Sequence, residues 1–67
     1  MTTARSVAPD TGAAIREAGR KAARAHVSGD AATVRHWRTW ADQHIGLTPN
    51  LDRATVRHLF ARGWEEA

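Results

Sequence analysis

Cysteine is missing from this 67-residue chain, and disulfides and every thiolate metal site are excluded with it. No apolar run approaches the roughly 20 residues of a membrane-spanning helix, so no membrane partner is expected. Met1 to Ala14 contain no hydrophobic stretch that could serve as a secretory signal, which makes the cytoplasm the expected compartment. Large apolar side chains are scarce as well. Fourteen of the twenty-eight hydrophobic residues are alanine and one is Met1, leaving thirteen that can fill a core. A domain this short buries a smaller share of its surface than a larger one. It therefore gains more than most from a partner chain, a ligand or self-association, each of which stabilises by mass action.

What the chain has in quantity is alanine and arginine. Nine arginines and one lysine stand against seven acidic residues, for a net charge of +3 and a pI of about 11.1. A basic balance favours an anionic partner such as nucleic acid, although +3 is modest. A GC-rich coding genome raises arginine and alanine together without reference to function.

Residues Met1 to Pro9 are polar or small and carry no period, which predicts a disordered tail before a single helical domain over residues 10–67. Asp10 or Thr11 can cap a first helix reaching about His26 and ended by the turn signal Ser28-Gly29. Ala14, Ile15, Ala18, Ala22 and Ala25 share one of its faces, with Arg16, Arg20 and Arg24 roughly opposite. With so little to bury, and with Gly12 and Gly19 in it, this helix is expected to be the least stable element.

Asp30 is a good cap for a second helix, and Gly46 a natural end for it. Val34, Trp37, Trp40, Ala41, His44 and Ile45 fall on an arc of about 140°. A third helix, started at Thr48-Pro49 or at Asp52, sets Val56, Leu59, Phe60 and Gly63 on an arc of about 100°. Gly63 is expected to end it, with Trp64 folding back or exposed. Ala32-Thr33-Val34-Arg35-His36 recurs as Ala54-Thr55-Val56-Arg57-His58, each copy with an aspartate two residues ahead. Two copies are too few for a solenoid, and a shared way of starting a helix accounts for them.

The fold class expected is all-α: a small three-helix domain of two strong amphipathic helices and an Ala-rich N-terminal one. The packing expected runs through Trp37, Trp40, Val34, Ile45, Val56, Leu59 and Phe60, with the Ala-rich helix laid beside or loosely across them.

Little in the chain suggests catalysis. There is no cysteine nucleophile, no Gly-rich phosphate loop and no carboxylate pair with a reason to face one another. His36 and His44 stand eight residues apart, about 12 Å along a helix, rather than at the i, i+4 spacing that chelates. No enzyme activity, metal or cofactor is expected. Two binding readings remain. Arg53, Thr55, Arg57, His58 and Arg62 would make the outer side of the third helix basic, as a helix entering a major groove requires, and Arg16, Arg20 and Arg24 could track phosphates. The stretch from Arg53 through Thr55-Val56, Leu59-Phe60 and Arg62-Gly63 resembles the recognition helix of excisionase and MerR-type helix-turn-helix proteins. That resemblance implies a small DNA-binding accessory or regulatory protein, with Arg53, Thr55 and Arg57 facing duplex DNA and Val56, Leu59 and Phe60 buried. The alternative is a protein-interaction module (adaptor, inhibitor or homodimer) with Trp37, Trp40 or Trp64 as an interface anchor, since tryptophan and arginine are enriched in such contacts.

Overall fold

The two copies of the recurring segment start helices in the same way. The Asp30 carboxylate accepts the amide of Thr33 at 3.1 Å and its hydroxyl at 2.6 Å, and the Asp52 carboxylate accepts the amide of Thr55 at 2.7 Å. Each of the two amide bonds satisfies a donor that the first helical turn leaves without a partner. The computed structural model describes residues 11–67, and it contains three helices: α1 (Thr11–Val27), α2 (Ala31–Asp42) and α3 (Arg53–Glu66). No strand occurs among the described residues. The expected tail over residues 1–9 and the candidate cap Asp10 lie outside them.

Gly29 closes α1 in the left-handed region, with φ +78°. Its amide donates to the His26 carbonyl at 3.0 Å, and the Asp30 amide donates to the Ala25 carbonyl at 2.9 Å. Those paired bonds form a Schellman turn, which leads directly into the Asp30 cap of α2.

The expected end of α2 at Gly46 is corrected. Regular helix stops at Asp42, after which the amides of His44 and Ile45 donate three residues back, to Ala41 at 3.0 Å and Asp42 at 3.1 Å. The His44 side chain marks the change. Its Nδ1 lies 2.9 Å from the Trp40 carbonyl oxygen, and because a carbonyl only accepts, Nδ1 carries the proton and donates. The imidazole thus bonds the same carbonyl that the His44 amide would use in a continuing α-helix, while that amide donates to Ala41 instead. Gly46 adopts φ +85° within the connector, and its amide donates to the Leu51 carbonyl at 2.7 Å.

Gly63 does not end α3 either. The helix runs on to Glu66 with Trp64 inside it, and Gly63 is buried where α3 crosses α1. A β-carbon on Gly63 would land on the Arg16 carbonyl oxygen, and one on Gly19 would land on the Phe60 carbonyl oxygen. The two backbones touch reciprocally, with no room for any side chain between them.

That crossing reverses the expected packing. Ile15 and Val56 are the fully buried large side chains, joined by Ala18, Ala22, Ala23, Ala41 and Leu51. α1 packs most extensively, first on α3 and then on α2, whereas α2 and α3 touch each other least. The Ala-rich helix is central rather than loosely laid, because alanine and glycine let helix axes approach closely. Trp40, Ile45, Leu59 and Phe60 only flank the core. Trp37 meets Trp40 edge-on, with ring centres 5.7 Å apart, and lies beneath the Lys21 ammonium at 4.7 Å.

In an exposed helix interior, replacing glycine by alanine stabilises by about 1 kcal/mol. At Gly63 the sign is expected to reverse. Overpacking costs roughly 1 to 3 kcal/mol where side chains can yield, and here a backbone carbonyl must move. Gly63→Ala is therefore expected to lower the thermal midpoint by about 10 °C or more, at roughly 4 to 8 °C per kcal/mol for a domain of this size. A midpoint unchanged or raised in calorimetry would contradict the crossing.

Candidate functional site

The arginines expected to act together are divided by the fold. On α1, Arg16 donates through Nη2 to both carboxylate oxygens of Glu66, at 2.9 and 3.1 Å, and Arg20 reaches the same carboxylate at 2.6 Å. Arg20 also holds Glu17 at 2.6 Å, and Arg24 approaches Glu17 at 3.4 Å. The row Arg16, Glu66, Arg20, Glu17, Arg24 is thus a continuous ion-pair chain that ties the last turn of α3 to α1. Two carboxylates take up most of the charge of three guanidinium groups, so the stripe presents little unpaired charge to a phosphate backbone.

Both carboxylates are held below the usual glutamate range. At Glu17 the hydrogen bond from Arg20 dominates, with the charges of Arg20, Arg24 and Lys21 adding to it. At Glu66 partial burial pushes the carboxyl up, and the Arg16 bond together with the charges of Arg16, Arg20 and Arg62 outweighs it.

On α3, Arg53, Arg57, His58 and Arg62 are exposed, as the sequence leads one to expect. They do not form one face. Arg57 and Arg62 are separated by about 140° around the axis. Thr55 is half-buried and committed to the Asp52 cap. A helix-turn-helix sets two helices against each other across a turn of about three or four residues. Here residues 43–52 separate α2 from α3, and the two helices are the least engaged pair.

Their separation leaves a groove of about 400 Å³. Its apolar side is the stripe Val56, Phe60 and Trp64 on α3, facing Ala41 on α2. Four charges rim it: Arg38 and Asp42 from α2, Arg57 and Glu65 from α3. Among the described residues none of the four makes an ion pair. Trp64 is half-buried here, with its indole beside the His26 ring at 5.3 Å. Trp40 is turned to the core and to His44 at 4.3 Å, and Trp37 is covered by Lys21. Of the three tryptophans considered as anchors, Trp64 is the one that lines this groove.

No family model, no curated protein and no solved structure matches the chain.

Sequence reasoning named Trp64 and Arg57 but passed over Phe60, Ala61 and Glu65 as a surface. The signal was present as two stripes at four-residue spacing, Val56-Phe60-Trp64 and Arg57-Ala61-Glu65. Ending α3 at Gly63 cut both stripes before their third member.

The ion-pair chain makes a pH prediction. A carboxylate whose folded pKa is depressed contributes stability above its unfolded value, near 4.5, and that contribution is lost as pH falls through the folded value. Glu66→Gln is therefore expected to lower the urea midpoint at pH 7, with the gap to the parent protein closing below about pH 4. A gap that persists at pH 3 would show that the network contributes nothing through charge.

Proposed function

We propose that this protein is a non-enzymatic protein-interaction module that receives an amphipathic helix in the groove between α2 and α3. The observation that carries the reading is the half-buried Phe60 and Trp64 pair lining an open, charge-rimmed groove. Helix-in-groove recognition needs an apolar trough to take the partner's anchors and polar rims to set its orientation. Tryptophan and arginine supply much of the energy of such contacts. Trp64 and Phe60 provide the trough, while Arg38, Arg57, Asp42 and Glu65 provide both signs of charge at its edges.

A second reading, duplex-DNA binding through α3, has one observation in its favour: Arg53 and Arg57 stand exposed and without acidic partners on adjoining turns. It asks α3 to approach phosphates with Glu65 exposed on the same helix and with the α1 arginines already engaged. The groove makes no such demand.

The first reading is tested with labelled protein at nanomolar concentration and a panel of amphipathic helical peptides beside scrambled controls of equal composition. Peptides with a continuous apolar stripe are expected to bind, and Ala61→Glu at the groove wall is expected to weaken them at least about tenfold. Equal binding of scrambled peptides, or indifference to Ala61→Glu, would remove the proposal. Titration with duplex DNA at rising salt addresses the second reading. There, Arg57→Ala should make the dependence of log K on log salt shallower by about one unit, and absence of binding at low salt excludes it.

A further inference from the structure

Arg57, Ala61 and Glu65 form a single ridge on α3, and all three are exposed. Ala61 stands midway, four residues or about 6 Å along the axis from each charge. The ridge therefore reads positive, small, negative, and reversing its direction exchanges the two signs. A two-fold axis through Ala61 sets an identical ridge antiparallel to the first, with Arg57 of each copy opposite Glu65 of the other. Within one chain those two side chains are about 12 Å apart along the helix and cannot satisfy each other. A central alanine lets the two axes come close.

We propose that the groove's occupant is α3 of a second copy of this chain, in an isologous dimer centred on Ala61. This rests on the groove being a docking surface and names what docks there. Each α3 lies along the other copy's groove, where Phe60 and Trp64 are covered on the side that the chain itself leaves open. Arg38 and Asp42 on the opposite lip then face the incoming helix, so both lips present both signs of charge. The rim has no net charge, since Arg38 and Arg57 balance Asp42 and Glu65, and such a rim repels a second copy no more than it attracts one. Self-complementarity of this kind is what a two-fold interface demands, because every contact occurs twice. The footprint of one helix of 14 residues belongs to the small end of specific interfaces, so the dimer is concentration-dependent.

The test is sedimentation equilibrium over roughly a hundredfold range of concentration, on the parent chain, Arg57→Glu, Glu65→Arg and the double variant. The parent is expected to dimerise. Each single reversal places like charges opposite each other twice, and is expected to weaken the dimer at least about tenfold. The double variant restores opposite signs in reverse order and is expected to recover to within about threefold of the parent. All positions are exposed, and circular dichroism checks that each variant remains helical. A dimer that ignores both single reversals, or a double variant no better than the singles, overturns the pairing. A parent that stays monomeric also overturns it, and the indole N–H signal of Trp64 then separates two cases. If a soluble paramagnetic probe broadens that signal, the groove is open to a helix from another protein. If the probe leaves it untouched, the docking surface fails together with the dimer.

Discussion

Where α1 crosses α3, Gly19 and Gly63 each press against a carbonyl of the opposite helix, and neither position can carry a β-carbon. This contact brings α3 close against α1, and Ala18, Ala22 and Ala23 of α1 are buried along with Ile15. α2 packs on α1 as well, but α3's approach is spent on α1, and between α2 and α3 a trough remains. The aromatic residues are consequently at the margins. Trp40 and Phe60 flank the core, Trp64 lines the trough, and none of the three tryptophans is buried. A core of alanines around Ile15, Leu51 and Val56, with the aromatic residues at its rim, accompanies that pair of glycines.

The close seam also organises charge. Bringing the last turn of α3 over α1 sets Glu66 within reach of Arg16 and Arg20, and Glu17 extends the network along α1 to Arg24. Exposed pairs of this kind are individually weak. Their effect here lies in which arginines they remove from the available surface. Lys21 is likewise drawn to an indole. The chain's net charge of +3 is therefore a poor guide to its partner, because among the described residues the arginines without an ion pair lie on α2 and α3.

Helix number and the start of α2 were legible in the sequence, and the start of α3 was one of the two offered, because Asp30 and Asp52 act through atoms of their own first turn. Gly29 was legible for the same reason, as its left-handed turn is a local device. The packing was not. Glycine has two uses in a helical protein, ending helices and letting them touch, and a sequence that shows only spacing favours the first. At Gly63 the second use prevails, which lengthens α3 to Glu66 and creates both stripes of the groove. Counting apolar bulk misled in the same direction. Trp37 and Trp40 look like a core and Ala18 and Ala22 do not, yet burial follows how closely backbones can meet. The early end of α2 was hidden as well, since Gly46, which looks like its terminator, lies in the connector with its amide on the Leu51 carbonyl.

The two readings of α3 make opposite demands on one acidic residue. A helix that follows DNA uses its exposed side against phosphates, and Glu65 on that side would be repelled there with no compensating bond. A helix that meets another helix needs both signs, because a rim of arginine alone would select against most amphipathic partners and against its own copy. Arg57 and Glu65 lie the same number of residues from Ala61 on a ridge that neither the core nor the α1 network employs. The acidic end of that ridge, more than its basic end, decides which kind of surface α3 presents.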